Sequence, residues 1–288
     1  MKPASPPAFL HQEAPSVTQQ EFAKFCEFFY RKTGIIFTEN KRYFVERRIL
    51  ERMVASQCPT FREYFATVRF ETAGQEMQRL VNAMTVNETY FFREDYQFDT
   101  LVSGILPELA VNKKPGDTIR IWSLPCSTGE EPYSIAIYIL EGWDRADDFN
   151  IEIIASDIDS QVLSQAQEGI YGERALSRIP PDIRQKYFSS VGGGSFQILA
   201  ELRESIDFFA VNVVDDAQMR QNSNIDIIFC RNLLIYFDDL ARRQAMETMY
   251  ECLAPGGFIC LGHSESMSRM SSLYKPRRIG DSIVYQKP

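Results

Sequence analysis

The first third of the chain has the spacing of apolar and polar residues that is typical of helices. Four runs place apolar residues every three or four positions, the period of a helix with one buried face. These runs are "TQQEFAKFCEFFYRKTG" (18–34), "TENKRYFVERRILERM" (38–53), "TFREYFATVRF" (60–70) and "GQEMQRLVNAM" (74–84). Thr18, with Glu21 three residues later, forms a capping-box pattern, and Gly34 is suited to be a C-cap. We predict a small helical bundle at residues 18–88, after a flexible tail at residues 1–17 that contains four prolines.

After residue 88 the pattern changes, because short apolar runs now alternate with amphipathic ones. The strand-like runs are "TIRIWSL" (118–124), "NIEIIASD" (150–157), "SIDFFAVNV" (205–213), "IDIIFC" (225–230) and "GGFICLG" (256–262). Helical patterns follow several of them, including one from Asp238 to about Leu253, and "RRIGDSIVYQK" predicts a last strand entered through a Gly-Asp turn. Apolar strands covered by helices on both faces indicate a doubly wound parallel sheet. We therefore predict an α/β domain at residues 89–288.

Residues 169–205 do not follow this alternation. They contain a short helical pattern, a Gly192-Gly193-Gly194 turn and two strand-like runs. We predict a small β subdomain, inserted between the second and third strands of the main sheet. It is called the inserted lobe below.

Composition and charge narrow the possible functions. The 288 residues carry a net charge of −8, but residues 1–90 are at +2 and the remainder is at −10. This balance disfavours a general nucleic-acid binder and predicts different partners for the two parts. The six cysteines form no CxxC pair and His11 and His263 are the two histidines, so we expect no metal site and reduced cysteines in a cytoplasmic protein. We also expect no secretory signal and no membrane insertion, because no suitable apolar run is present.

Polar residues follow four of the predicted strands at their carboxyl ends, where ligands of such sheets bind. They are the turn "CSTGEE" (126–131), Asp157, Asn212, and the pair Arg231 and Asn232. The turn has one glycine, no lysine and two carboxylates, Glu130 and Glu131, which would repel a phosphate. Asp157 is placed to accept hydrogen bonds from ribose hydroxyls. A ligand with ribose hydroxyls, an ammonium group and a cationic sulfur fits this set, which predicts S-adenosylmethionine.

Each of these residues has a structural alternative. Glu130 and Glu131 would also favour the positive end of the helix that follows. Asp157 would serve as the N-cap of the next helix, and Asn212 as an ordinary turn residue. His263 is more typical of a structural histidine than of a catalytic base.

Five ordered motifs of this chain resemble those of the chemotaxis receptor methyltransferases, the CheR family. They are "NAMTVNETYFFRE", "STGEEPYSIA", "ASDID", "FCRNLLIYF" and "GHSES", within a resemblance that runs from about Thr18 to the C-terminus. The resemblance implies an N-terminal helical domain followed by a Rossmann-like S-adenosylmethionine-dependent methyltransferase domain. It also implies a reaction that esterifies glutamate side chains on the cytoplasmic helices of chemoreceptors, and we expect a cytoplasmic monomer.

The same resemblance assigns site residues by position. The implied cofactor contacts are Asn87, Thr89, Arg93, Glu131, Asp157, Asn212, Val213, Arg231 and Asn232. Arg93, Arg231 and Tyr236 are implied to lie near the transferred methyl group as the catalytic set. Some members of the family bind the C-terminal pentapeptide of the receptor with the β subdomain. The turn in "SSVGGGSFQIL" is a few residues shorter here, so we expect such peptides to bind weakly or not at all.

The helical domain offers a predicted substrate-docking stripe. Lys41, Arg48 and Arg52 are spaced i, i+7, i+11 and share one narrow side of their helix. We expect this stripe to dock an acidic helical bundle rich in glutamates. The alternative is an ordinary solvated face in which Glu46 and Glu51 pair with neighbouring cations.

The predicted substrate explains the shortage of histidines. A glutamate carboxylate, with a reference pKa of about 4.3, is already ionised at neutral pH and needs placement rather than a base. Two other classes of function stay open: a non-catalytic adaptor that retains a nucleoside pocket, and a methyltransferase of RNA or a small molecule. The acidic catalytic part argues against RNA. The presence of Arg93, Glu131, Asp157, Arg231 and Tyr236 argues against a site that has lost its activity.

Overall fold

The computed structural model describes residues 16–267 and 271–288. In this part of the chain, one compact unit consists of residues 16–28 and Phe37–Met84, and a second consists of Phe29–Ile36 and Thr85–Pro288. The predicted division lay at residue 88. Most of the predicted tail, with His11, lies outside the described residues.

The four predicted helices form the first unit, except that the end of the first helix, from Phe29 onward, belongs to the second unit. They are α1 (Gln19–Thr33), α2 (Arg42–Ala55), α3 (Phe61–Phe70) and α4 (Gln75–Met84), with a short 3₁₀ turn at Glu39–Lys41 before α2. The capping box is confirmed, since Thr18 N–H donates to Glu21 at 2.9 Å and Glu21 N–H donates to Thr18 Oγ1 at 3.3 Å. Gly34, at φ +73°, follows the last residue of α1 as predicted. Helix α2 buries Val45, Ile49 and Met53 as its apolar face.

The second unit contains a seven-stranded sheet and a three-stranded sheet. The strands in chain order are β1 (Thr118–Ser123), β2 (Asn150–Asp157), β3 (Ile170–Gly172), β4 (Phe188–Gly192), β5 (Ser195–Ile198), β6 (Ile206–Ala210), β7 (Ile225–Cys230), β8 (Leu253–Leu261), β9 (Lys275–Ile279) and β10 (Ser282–Gln286). The helices are α5 (Tyr96–Thr100), α6 (Leu106–Asn112), α7 (Glu130–Gly142), α8 (Ser160–Glu168), α9 (Pro181–Tyr187), α10 (Ala200–Glu204), α11 (Asp216–Met219) and α12 (Asp239–Cys252). A π-helical turn at Leu101–Ile105 joins α5 to α6.

The large sheet confirms the predicted parallel α/β architecture. Its order is β6-β2-β1-β7-β8-β10-β9, and the first five strands of that order pair in parallel. The predicted last strand is a hairpin, since β9 and β10 pair antiparallel and β10 also pairs antiparallel with β8. From β1 the chain proceeds to β2 and later to β6 on one side of the sheet, and it then crosses back to β7 on the other side of β1, so the strand order reverses between β1 and β7. The carboxyl ends of β1, β2 and β7 therefore meet where a ligand crevice is expected.

The inserted lobe is an antiparallel sheet of order β3-β5-β4. Strand β3 was not predicted, because three residues are too short to show an alternating pattern. Strands β4 and β5 are joined by Gly193 and Gly194, both at positive φ, in a two-residue turn. Phe91 packs edge-on against Tyr171 and Phe188 of the lobe, with ring centroids 4.8 and 5.2 Å apart. The segment before α5 is thereby fastened to the lobe.

None of the helices in the described residues has the length and apolar character that a bilayer crossing requires.

Candidate active site

The turn between β1 and α7 needs its single glycine. Gly129 is the N-cap of α7 and has φ +93°, a backbone conformation that side chains disfavour. A Cβ at this position would lie 2.9 Å from Ala166 Cβ and 3.0 Å from Tyr171 Oη. Ser127 in the same turn is also at positive φ, and its N–H donates to Asp157 at 2.9 Å. The turn is therefore tightly packed and is held to the end of β2.

The two adjacent glutamates of this turn have different surroundings. Glu131 lines a cavity, accepts a hydrogen bond from Ser123 Oγ at 2.8 Å and pairs with Arg231 Nη1 at 3.0 Å. Burial raises the pKa of Glu131, and the nearby Arg231 opposes that shift. Glu130 is buried outside the cavity wall, where Thr128 Oγ1 donates to it at 2.6 Å. Burial raises the pKa of Glu130 as well.

Asp157 ends β2 as a buried carboxylate, 3% exposed. One oxygen accepts the Ser127 N–H at 2.9 Å and the other accepts the Asp159 N–H at 3.0 Å. Burial raises the pKa of Asp157 to about 6, although these backbone donors oppose the shift. The alternative that Asp157 caps the next helix is wrong. Asp159 is the N-cap of α8 and accepts the Gln161 N–H at 2.8 Å.

Arg231 is a buried cation that joins three segments of the site. Its side chain is 2% exposed and pairs with Glu131 at 3.0 Å and with Glu94 at 3.2 Å. It also donates to the carbonyl oxygen of Arg93. Its Nε is buried without a hydrogen-bond partner among the described residues. The resemblance implied that Arg231 lies near the transferred methyl group, and in the structure both of its Nη groups bind groups of the protein itself.

Glu265, which was not predicted as a site residue, holds the loop after β7. Its carboxylate accepts the N–H groups of Asn232 at 2.9 Å, Leu234 at 2.7 Å and Gly262 at 2.9 Å. These bonds fix Asn232 at φ +60°. The signal in the sequence was the motif "GHSES", which contains Glu265.

The cavity has a volume of about 220 Å³ and brings together seven of the predicted site residues. They are Asn87, Thr89, Arg93, Glu131, Arg231, Asn232 and Tyr236. Three further predicted contacts, Asp157, Asn212 and Val213, do not belong to its wall. Val213 is buried, and Asn212 donates from Nδ2 to the Lys32 carbonyl at 2.7 Å while its Oδ1 accepts the Val214 N–H at 3.3 Å. Asn212 is thus a bonded turn residue, as its structural alternative suggested.

Two residues of the cavity wall have groups suited to an anionic acceptor. Arg93 donates from Nη1 to the Glu88 carbonyl at 3.0 Å and makes no ion pair among the described residues. The Tyr236 hydroxyl has no hydrogen-bond partner in this part of the chain, and Tyr236 is half-buried. Burial raises the pKa of Tyr236, and the nearby Arg93 opposes that shift. Tyr236 therefore keeps its proton at neutral pH and is able to donate it in a hydrogen bond.

The donors and acceptors of this site fit S-adenosylmethionine better than a phosphate ligand. Glu131 supplies a carboxylate in the cavity wall, where a cationic sulfur or an ammonium group is favoured. Asp157 retains a lone pair on each oxygen for ribose hydroxyls. His263 is exposed and contacts the site through its backbone N–H, which donates to Glu94 at 3.1 Å. The residues present thus favour a ligand that carries positive charge.

The predicted docking stripe on α2 is uneven in the structure. Arg52 donates to both oxygens of Glu76 at 3.0 and 2.7 Å, and Glu76 is only 3% exposed. Arg48 pairs with Glu51 at 3.0 Å, as the alternative of a solvated face anticipated. Lys41 is exposed and has no ion pair within the described residues. Arg52 is therefore a structural ion-pair partner, and Lys41 is the least neutralised charge of the three.

Comparisons with known proteins identify similar proteins over nearly the whole length of the chain. Residues 20–85 match the family described as CheR methyltransferase, all-alpha domain, and residues 87–280 match CheR methyltransferase, SAM binding domain. The chain is 48% identical over 272 residues to chemotaxis protein methyltransferase 2 of Vibrio cholerae, covering 94% of both chains. It is 35% identical over 280 residues to chemotaxis protein methyltransferase 2 of Pseudomonas aeruginosa, covering 96% of both. It is 33% identical to a chemotaxis protein methyltransferase of Vibrio parahaemolyticus, covering 95% of this chain and 98% of that one.

Proposed function

The chain belongs to the CheR family of S-adenosylmethionine-dependent methyltransferases, and we propose that it methylates glutamate side chains on the cytoplasmic helices of chemoreceptors. The product is a glutamyl methyl ester. The observation that carries this proposal is a cavity wall that combines the Glu131 carboxylate with the Arg93 guanidinium and the unbonded Tyr236 hydroxyl. We further propose that the enzyme acts in the cytoplasm as a monomer.

The cofactor-holding residues in this proposal are those with suitable acceptors. When bound, S-adenosylmethionine supplies an electrophilic methyl group on a positively charged sulfur. Asp157, behind the cavity wall, would accept hydrogen bonds from the ribose hydroxyls, and Glu131 in the wall would favour the cationic end of the molecule. Asn87, Thr89 and Asn232 complete the wall around it. Asn212 and Val213 lie outside that wall, and they are the least supported members of the predicted set.

Arg93 and Tyr236 orient the acceptor carboxylate in this proposal. A guanidinium binds a carboxylate through charge-assisted hydrogen bonds, and a phenol donates one more. The acceptor is ionised at neutral pH, so the site needs no general base. Arg231 has a positioning role instead of direct contact with the acceptor. It fixes Glu131, Glu94 and the Arg93 backbone, and so keeps the wall in one arrangement.

Incubation with tritiated S-adenosylmethionine and receptor-containing membranes tests the function. We expect label on the receptor that is released by mild base, because esters are base-labile. Cofactor binding without any transfer would favour a non-catalytic adaptor. Label that appears only in RNA or in a small molecule would favour the other class of methyltransferase.

Tyr236→Phe tests the acceptor site. Loss of one hydrogen bond to a charged group predicts a fall in kcat of about tenfold. The affinity for S-adenosylhomocysteine should stay within twofold, since the hydroxyl has no partner that would be left unpaired. An unchanged kcat at saturating receptor would remove Tyr236 from the proposed catalytic set.

A further inference from the structure

The inserted lobe borders the cavity through the loop at residues 173–179. Ala175 in this loop accepts the Phe91 N–H at 3.0 Å. Arg174, also in the loop, forms an ion pair with Glu88, which lines the cavity. The main-chain hydrogen bond of Ala175 therefore holds the loop at the edge of the site, and the exposed ion pair of Arg174 adds little to this.

Arg178, from the same loop, lies close to the ring of Tyr90. Its guanidinium carbon is 5.2 Å from the ring centroid, and that of Arg93 is 5.9 Å from the same centroid. Both distances are within the range of a cation–π contact. Tyr90 and Arg93 line the cavity, so Arg178 extends the group of charges outward from the wall.

Within the described part of the chain, the guanidinium groups of Arg93 and Arg178 lack the kind of carboxylate partner that Arg174 has. Arg174 is neutralised by Glu88, whereas neither Arg93 nor Arg178 forms an ion pair among the described residues. Residues 91–288 carry a net charge of −10, so carboxylates are plentiful in this part of the chain. Two like charges over one ring repel each other, and an anionic ligand beside them would relieve that repulsion.

We propose that Arg178 is a specificity residue that binds a second carboxylate of the substrate, one helical turn from the glutamate that is methylated. This inference rests on the proposed function, which supplies a helical acidic substrate and sets the acceptor beside Arg93. Side chains three or four residues apart on a helix have Cβ atoms about 5–6 Å apart. Two guanidinium groups that each lie within about 6 Å of one tyrosine ring are within reach of two glutamate side chains on one face of such a helix.

Steady-state methylation of a purified chemoreceptor cytoplasmic fragment at low salt tests this role. Arg178→Ala should raise KM for the fragment about fivefold with kcat unchanged, the size expected for one partly exposed charge pair. Arg178→Lys should retain most of the affinity, because the charge is kept. The matched control is Arg174→Ala on the same loop, which should stay within twofold because Glu88 already neutralises Arg174. Calorimetry with S-adenosylhomocysteine should give the same affinity for all four proteins.

A second arm changes the substrate. In the chemoreceptor fragment, the glutamates that lie three or four residues from the methylated glutamate are replaced by glutamine. The KM of the wild-type enzyme should rise about as much as Arg178→Ala raises it, and the variant should show no further loss. A wild-type KM for Arg178→Ala, or an equal penalty on both fragments, would overturn the inference. If the wild-type enzyme binds S-adenosylhomocysteine but labels no fragment, the proposed function itself is overturned, and this inference with it.

Discussion

Asp157 is expected to make cofactor binding weaker at low pH, because burial raises its pKa. Its pKa is raised to about 6 by burial, so the carboxyl takes up a proton as the pH falls through that value. The protonated group accepts ribose hydrogen bonds poorly. We expect S-adenosylhomocysteine to bind about tenfold more weakly at pH 5 than at pH 7, since one pH unit below the pKa costs one decade. Calorimetry across this range measures the change.

The pH dependence of stability at Asp157 has the opposite direction from that of cofactor binding. Its folded pKa lies above the value of 3.8 in the unfolded chain, so lowering the pH through 6 favours the folded state at this residue. Asp157→Asn is the control and should bind weakly with little dependence on pH. Burial also raises the pKa of Glu131, so any pH dependence that remains in Asp157→Asn would come from Glu131 rather than from Asp157. A flat profile for the wild-type protein would argue against Asp157 as the ribose acceptor.

Arg231 is expected to matter for stability as well as for turnover. Arg231→Ala would leave Glu94 and Glu131 without their shared cation in a largely buried site. Removal of one partner from a buried ion pair costs about 3–5 kcal/mol. Urea unfolding of the purified protein measures this cost. Glu131→Gln should offset part of it in the double variant, and a cost below about 1 kcal/mol for Arg231→Ala would contradict the ion-pair interpretation.

At the scale of single residues, the sequence predicted which polar residues lie at the strand ends but not which groups of the protein they bind. Asp157, Glu131 and Arg231 were predicted because polar residues at strand ends are informative in a parallel sheet. Their partners were not predictable. Glu94 is distant from Arg231 in the chain, and Asp157 is satisfied by backbone groups of a turn that only the folded structure forms.

The β1–α7 turn makes the clearest prediction at the scale of elements. Gly129→Ala must adopt φ +93° and place its Cβ within about 3 Å of Ala166 and Tyr171. Strain and overpacking together predict a loss of about 2–4 kcal/mol and weaker cofactor binding. Gly193→Ala is the matched control, because Gly193 has φ +62° but no atom within 4 Å of a Cβ. That variant should lose only about 1 kcal/mol in urea unfolding. Equal losses would mean that the close packing at Gly129 is tolerated.

Long elements with a clear period were predicted well, and short ones were missed. Helices α1 to α4 and strands β1, β2 and β7 agree closely with the runs in the sequence. Strand β3 spans three residues, and β9 lacks the alternation of a half-buried strand. Their pairing depends on contacts such as Tyr171 with Phe196 in the lobe, which lie far apart in the chain.

For the whole molecule, the division of charge between the two parts is read directly from the sequence. Residues 1–90 are slightly basic and the remainder is acidic. Which of the basic residues is available to a partner was not predictable, because neutralisation depends on the fold. Arg52 is paired with the buried Glu76, so Arg52→Glu would place two carboxylates together inside the helical unit. A charge-reversal test that included Arg52 would therefore confuse docking with unfolding.

The docking prediction is tested more sharply with Lys41→Glu and Arg48→Glu together. Both side chains lie on α2 or the 3₁₀ turn before it, and their reversal leaves the buried pair of Arg52 and Glu76 intact. Exposed charges mainly steer association, so the loss should appear in kcat/KM for the receptor at low salt and shrink as the ionic strength rises. The affinity for S-adenosylhomocysteine should not change. Arg47→Glu serves as the matched control, because Arg47 lies on the same helix outside the stripe and already pairs with Glu51. A double variant with the rate and salt dependence of the wild-type protein would mean that α2 presents an ordinary solvated face and that the receptor docks elsewhere.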